Sequence, residues 1–188
     1  MRHLLVPAFF LLLGLSTCES LSTVLQDTCK FVAAGHPSIS YSYCIKTFQS
    51  DRDSATAADA RALAAVAARI AEKAANATSA RAVALRASEK DARRRDRLGV
   101  CAEVYSDAVD QLGEAVDDVA RKGGEEDALT QLSAALDAPG TCEDAFGEAD
   151  DASPLAPEDA EFTKLATIAL AVAASLTAPP PSTPATRN

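Results

Sequence analysis

The sequence predicts an all-α protein, an up-down-up-down four-helix bundle preceded by an α-hairpin and closed by two disulfide bonds. Three observations support this fold class. Long segments have apolar residues at helical spacing, glycine and proline fall at the joints between them, and an even set of four cysteines follows the N-terminal segment. Short turns between long helices make neighbouring helices antiparallel, and no segment alternates as a half-buried strand does.

Residues 1–20 are expected to be a secretory signal peptide. Arg2 precedes a short apolar run that ends in small residues. The run is too short to span a bilayer comfortably, and a polar chain follows it. Cleavage is possible after Cys18 or after Ser20. We therefore expect a secreted, extracellular protein whose remaining cysteines pair in an oxidising compartment.

The composition excludes several function classes. A formal net charge of −9 over 188 residues argues against nucleic acid or an anionic membrane as partner, and suits a basic protein. Beyond the leader His36 is the only histidine, so the chain has no histidine pair for a metal and little equipment for catalysis. We expect a monomer without a cofactor that is not an enzyme.

The first elements are two short segments. Residues 21–34 have helical apolar spacing, and the Gly-His-Pro sequence at 35–37 ends that helix. Residues 39–49 are ambiguous, because their aromatic and β-branched residues suggest a strand. The cysteine spacing described below favours a second short helix, which makes residues 21–50 an α-hairpin.

A long alanine-rich helix is expected next, from a cap at Asp53 or Ser54 to about residue 94. Its length predicts a kink near residues 76–79, and the charged run at 89–97 is read as its solvated end rather than a nucleic-acid patch. A glycosylation sequon begins at Asn76. The expected inward positions are Leu63, Val66, Ile70, Ala74 and Ala77.

The segment at about 98–121, with Asp96 as its expected cap, has two distinct faces. The first face is apolar at helical spacing, and the second is acidic at the same spacing. The predicted buried residues, with Tyr105 read as core, are Cys101, Tyr105, Ala108, Leu112, Ala115 and Val119. The carboxylates, named here the acidic stripe, are Glu103, Asp107, Asp110, Glu114 and Asp117.

Two further helices complete the predicted bundle over 53–178. The first starts after the turn at 122–127, has Leu129, Leu132 and Leu136 inward, and bends or restarts at Pro139-Gly140 before continuing through Phe146. After a polar linker, Pro157 marks the first turn of a last helix that runs to about 177. Its expected inward residues are Phe162, Leu165, Ile168, Val172 and Leu176. Residues 179–188 are a proline-rich tail.

The cysteine positions select one pairing of the three available. Bonded cysteines on an antiparallel helix pair lie about equally far from the turn, since both helices rise by the same amount per residue. The midpoint of Cys29 and Cys44 falls on the Gly-His-Pro turn, and that of Cys101 and Cys142 falls on Lys-Gly-Gly. Neither crossed pairing is symmetric in this way. We therefore predict Cys29–Cys44 and Cys101–Cys142.

Six stretches of the sequence carry a family resemblance: "DTCK", "YSYCIKTF", "SDRDSATAADARALA", "CAEVYSDAVDQLGEA", "LSAALDAPGTCEDAF" and "LATIALAVAASL". They resemble the plant invertase and pectin methylesterase inhibitor family over about residues 22–177. The resemblance implies a four-helix bundle after an α-hairpin, with the same two sequential disulfides. It also implies a non-catalytic protein, with an inhibitor domain at 21–178, that binds and blocks a secreted carbohydrate enzyme one to one.

The resemblance favours pectin methylesterase over invertase as the target. Invertase inhibitors of the family have a Pro-Lys-Phe motif after the turn between the two disulfide-linked helices, where this chain has acidic residues 125–127. The pectin methylesterase set is matched only in part, because Val104 stands where a polar contact can occur. Acid invertase is the alternative target, and a helical binding or structural protein without an enzyme target is the alternative class. The partner-binding positions implied are Glu103, Asp107, Asp110, Thr141 and Asp144.

Overall fold

The structure, a computed structural model, describes residues 22–148 and 151–177 and is helical with no strand in that part of the chain. The predicted leader and tail lie outside the described residues. The elements are α1 (Thr23–Gly35), α2 (Tyr41–Gln49), a 3-10 helix (Arg52–Thr56), α3 (Ala60–Ser88), α4 (Ala92–Ala120), α5 (Glu125–Leu136), α6 (Ala138–Gly147) and α7 (Ala156–Ser175).

Four columns of helix form the bundle, and the third column consists of α5 followed by α6. Helix α3 packs against α4 and α7, and both α5 and α6 pack against α4 and α7. The columns therefore alternate in direction around a ring, which confirms the predicted all-α up-down-up-down bundle. Helices α1 and α2 pack on each other and form the predicted N-terminal hairpin, with α1 also touching α3 and α7.

The first long helix begins later than the sequence suggested. Asp59, rather than Asp53 or Ser54, caps α3 by accepting a hydrogen bond from the backbone N–H of Ala62. Ser54 instead lies buried in the 3-10 helix and donates its hydroxyl proton to the carbonyl of Phe48. Because that hydroxyl satisfies the end of α2, it is not free to cap the next helix.

The boundary between the two long helices was also predicted wrongly. Helix α3 ends at Ser88, and Asp91 rather than Asp96 caps α4 by accepting the backbone N–H of Arg94. The Glu89 carboxylate accepts the backbone N–H groups of Lys90 and Asp91, which fixes the turn between them. The carboxylates of Glu89 and Asp91 accept backbone N–H groups that have no partner within a helix. Helix α4 therefore begins inside the charged run. The arginines lie at the beginning of α4 instead of at the end of α3.

The inward face of α3 is rotated from the predicted one. Leu63 and Val66 are buried as expected, whereas Ile70 and Ala74 are half-buried and Ala77 is exposed. Buried alanines at positions 67, 71, 75 and 82 form the inner face beyond Val66. The helix also continues from residue 60 to residue 88 without the break expected near 76–79.

The remaining helices lie close to their predicted positions. Helix α5 ends at Leu136 and α6 begins at Ala138, so the third column restarts at Asp137 as the Pro139-Gly140 sequence indicated. Helix α7 buries most of its expected apolar residues, Phe162, Leu165, Ile168 and Val172, while Leu176 is half-buried. Helix α7 is buried on nearly all sides, as is typical of a helix that packs against several neighbours.

The two disulfides have the pairing that the turn symmetry predicts. Cys29 is bonded to Cys44 across the hairpin, and Cys101 is bonded to Cys142, which links α4 to α6. All four cysteines are fully buried. The hairpin is further held to α7 by Tyr43, which donates a 2.7 Å hydrogen bond to Glu161 and contacts the Lys164 ammonium with its ring.

Candidate partner-binding surface

Helix α4 separates its apolar and acidic residues onto different faces. The six predicted buried residues, from Cys101 to Val119, are fully buried. The five residues of the acidic stripe are all exposed, although Glu114 accepts a hydrogen bond from Gln131 of α5. The spacing of three and four residues that separates the two sets in the sequence therefore separates core from solvent in the fold.

Three carboxylates at the start of the stripe have no partner within the chain. Glu103, Asp107 and Asp110 make no ion pair or side-chain hydrogen bond within residues 22–148 and 151–177. Several basic residues of the described chain, by contrast, pair with a carboxylate, as Arg81 does with Glu158. These three charges are consequently available to a positively charged surface of another molecule.

The disulfide between α4 and α6 connects the acidic stripe to a second helix. Its two Cα atoms are 4.6 Å apart, and along α6 Thr141 lies one residue before Cys142 and Asp144 two residues after it. Both residues are exposed; the Thr141 hydroxyl donates to the carbonyl of Asp137. Glu103 lies two residues beyond Cys101, so the disulfide holds it at the level of α6. We name Glu103, Asp107, Asp110, Thr141 and Asp144 the α4–α6 face.

The positions along α4 give the face its length. Asp107 and Asp110 lie about 6 Å and about 10 Å beyond Glu103 along the helix axis, because an α-helix rises about 1.5 Å per residue. All three point to one side of α4, whose opposite side is buried in the core. The face is thus a row of carboxylates on a rigid helix, with the polar residues of α6 at one end.

A shallow depression that sequence reasoning missed extends the α4–α6 face toward the start of α4. Val100 is 37% exposed and lines it with Ala145. Its charged lining consists of Arg93, Asp96, Arg97 and Glu148. The signal in the sequence is that Val100 lies three residues before Glu103 and seven before Asp107, which places an apolar side chain on the acidic side of the helix.

The turn after α4 differs electrostatically from the α4–α6 face. Arg61 of α3 forms an ion pair with Glu125 and donates a 2.7 Å hydrogen bond to the carbonyl of Val119. Hydrogen bonding from Arg61 lowers the pKa of Glu125. Arg121 pairs with Asp127 at 3.0 Å. Two of the three carboxylates at 125–127 are therefore occupied by internal partners.

Glycine makes this turn possible. Gly123 has a φ of 82°, a left-handed conformation that other residues rarely adopt. A Cβ on Gly124 would lie 2.3 Å from the carbonyl oxygen of Asp118, so no larger residue fits there. The close turn between α4 and α5 aligns Cys101 with Cys142 and thereby fixes the α4–α6 face.

The sequon at Asn76 stays a prediction. Asn76 is exposed on α3, whereas Thr78 is 4% exposed and donates its hydroxyl proton to the carbonyl of Ala74. The acceptor asparagine is thus reachable in the folded protein, but the threonine that completes the sequon is not.

The described residues provide no group of three or more His, Cys, Asp or Glu side chains that could hold a metal ion. None of the helices at 22–148 and 151–177 is both long and apolar enough to cross a membrane. The arrangement that the structure offers is an exposed charged surface on a disulfide-linked scaffold, which suits binding to another macromolecule.

Known proteins with similar sequences have inhibitor names. The chain is 32% identical over 165 residues to "Putative invertase inhibitor" from Platanus acerifolia, covering 87% of this chain and 91% of that protein. It is 33% identical over 161 residues to "Pectinesterase inhibitor 12" from Arabidopsis thaliana, covering 84% and 88% of the two chains. The two names point to different target enzymes.

Solved structures show the same fold. A mutant form of a pectin methylesterase inhibitor from Arabidopsis matches with a TM-score of 0.64 at 23% identity, over 81% of this chain and 97% of that one. A second pectin methylesterase inhibitor structure from Arabidopsis thaliana matches with a TM-score of 0.58 at 21% identity, over 84% and 99%. The model of the family described as "Plant invertase/pectin methylesterase inhibitor" matches residues 23–172. The protein therefore belongs to the plant invertase/pectin methylesterase inhibitor family, whose members are inhibitors and not enzymes.

Proposed function

We propose that the protein is a secreted inhibitor of a plant pectin methylesterase, which it binds one to one by laying the α4–α6 face over the substrate cleft. The observation that supports this target is the set of exposed carboxylates at Glu103, Asp107 and Asp110, which have no partner within the described chain. Carboxylates on a rigid helix can steer a basic enzyme and pair with its lysine or arginine groups.

The inhibitor acts by occlusion and contributes no chemistry of its own. The α4–α6 face is preformed, because a disulfide joins its two helices and the core fixes the opposite side of α4. A preformed surface loses little conformational entropy on binding, so more of the interaction energy appears as affinity. Covering the cleft excludes the polysaccharide and requires no cofactor.

The turn at 125–127 argues against invertase as the target. The family's invertase inhibitors present Pro-Lys-Phe here, whereas this chain presents Glu125, Glu126 and Asp127, of which Arg61 engages the first and Arg121 the last. A carboxylate in place of a lysine reverses the charge offered to the acidic active site of a glycosidase. Invertase inhibition remains the second candidate, because the relatives from Platanus have that name.

The deciding experiment is a pair of inhibition assays with one preparation of the oxidised protein at mildly acidic pH. One assay uses a plant pectin methylesterase and the other a plant acid invertase. We expect loss of methylesterase activity with invertase unaffected. Loss of invertase activity alone would overturn the proposed target.

Variants locate the surface within the same assays. Asp107→Asn and Asp144→Asn remove charges from the two helices of the α4–α6 face, and we expect each to weaken inhibition. Asp117→Asn removes an exposed charge from the far end of the acidic stripe and is the matched control. Equal inhibition by all three variants would refute this surface as the contact.

A further inference from the structure

Three carboxyls, of which Asp159 is buried and the other two half-buried, lie where α4, α6 and α7 meet, on the inner side of the α4–α6 face. Asp159 of α7 is 3% exposed, and its Oδ1 accepts a 2.6 Å hydrogen bond from the hydroxyl of Tyr105 on α4. Its other oxygen, Oδ2, is buried with no partner. Glu143 of α6 and Glu158 of α7 each have one buried carboxylate oxygen in the same condition.

Asp159 and Glu143 lie close enough for a hydrogen bond between their carboxyls. Two ionised carboxylates cannot form one, because each offers only acceptor atoms. A single proton held between them supplies the missing donor and removes one of two like charges from the protein interior. The two unpartnered oxygens, Asp159 Oδ2 and Glu143 Oε1, are thus the place where a proton is needed.

The charges around the pair favour the protonated state. Burial raises the pKa of Asp159 to about 7, the nearby charges of Glu143 and Glu158 act in the same direction, and the hydrogen bond from Tyr105 opposes them. Arg81 reaches the cluster from α3 but is engaged with Glu158, 2.6 Å from its Oε1. Within the described residues no cation pairs with Asp159 or Glu143.

We propose that Asp159 and Glu143 share one proton in the folded protein, and that this proton fastens α6 to α7. Loss of the proton leaves two negative charges side by side, one of them fully buried, and pushes the helices apart. Glu143 lies between Thr141 and Asp144 on α6, so the same proton positions the α6 part of the α4–α6 face. The inference does not depend on which enzyme the protein inhibits.

The direction of the pH effect follows from the linkage between protonation and folding. An aspartate in the unfolded chain has a pKa of about 3.9, so the folded state retains a proton that the unfolded state has released. The stabilisation is full below about pH 4, decreases as the pH rises, and is absent above about pH 7. The protein is thus expected to be most firmly folded under acidic conditions.

The test compares thermal unfolding midpoints at pH 4.5, 6.0, 7.5 and 8.5 for three proteins. For the unaltered protein we expect a fall of about 9 °C between pH 4.5 and pH 7.5. Glu143→Gln places an amide N–H donor beside Asp159 at every pH, which stabilises the ionised form of Asp159, and should reduce that fall. Glu148→Gln, an exposed change just beyond α6, is the matched control and should leave it intact. A flat profile for the unaltered protein, or an unchanged slope in Glu143→Gln, would overturn the proposal.

Two measurements on the unaltered protein stand even if Glu143→Gln fails to fold. The side-chain carbon of Asp159, followed by ¹³C NMR, should titrate near neutral pH; titration near pH 4 would overturn the proposal. Hydrogen exchange, corrected for intrinsic rates, should show α6 amides losing protection between pH 5 and pH 7.5 while the centre of α4 retains it. Uniform behaviour of the two helices would contradict a local role for the proton.

Discussion

Removing the disulfide between α4 and α6 should damage both stability and inhibition, whereas removing the hairpin disulfide should damage stability alone. The Cys101–Cys142 bond closes a separation of 41 residues, and the loop-entropy relation gives about 4 kcal/mol of stabilisation at 25 °C. The Cys29–Cys44 bond closes 15 residues and gives about 3 kcal/mol. Alanine is the suitable replacement because all four cysteines are fully buried.

The functional difference arises from what each bond holds. Helix α6 has 10 residues, a length at which an isolated helix is marginal in water, and its covalent tie to α4 keeps Thr141 and Asp144 in place. The hairpin bond holds only α1 to α2. We expect the Cys101→Ala, Cys142→Ala variant to inhibit about tenfold more weakly, a loss of about 1.4 kcal/mol, while the hairpin variant inhibits normally.

Urea unfolding measures the stability loss, and inhibition is assayed at a temperature where both variants are folded by circular dichroism. Each double variant serves as the control for the other, since the stability losses differ by only about 1 kcal/mol. Equal inhibition by both variants would refute the idea that the α4–α6 link preforms the face. A larger stability loss for the hairpin variant would refute the loop-length reasoning.

Three further outcomes are expected. Tyr105→Phe leaves Asp159 without its 2.6 Å hydrogen bond and should lower the free energy of unfolding by about 1.5–3 kcal/mol in urea; a loss below about 0.5 kcal/mol would contradict the contact. Leu112→Ala opens a cavity at a fully buried position and should cost about 2–5 kcal/mol in the same assay, unlike Val83→Ala at an exposed position of α3. Asp107→Lys should weaken inhibition of the methylesterase and reduce its salt dependence, because added salt already screens the attraction that the variant removes; inhibition equally strong at low and high salt in the unaltered protein would refute this.

The sequence predicted the parts of the fold that depend on contrast between residue types. On α4, large apolar residues such as Tyr105 and Leu112 alternate with carboxylates, so the buried face is unambiguous. On α3, alanine occupies inner and outer positions alike, and the apolar pattern cannot tell Ala75, which is buried, from Ala77, which is exposed. The orientation of α3 is decided by packing against α4 and α7, which no local pattern contains.

The buried carboxyl pair could not be found from the sequence for a related physical reason. Asp159 occupies the first turn of α7, where acidic residues are ordinarily exposed and stabilise the helix dipole. Only the tertiary fold brings Tyr105 from α4 and Glu143 from α6 against it. An aspartate suits a helix start, but burial at this position favours the protonated form of Asp159. The same burial ties the start of α7 to α6, one of the two helices of the α4–α6 face. Loss of the proton at Asp159 would therefore act on the inner side of the surface that we propose to bind the enzyme.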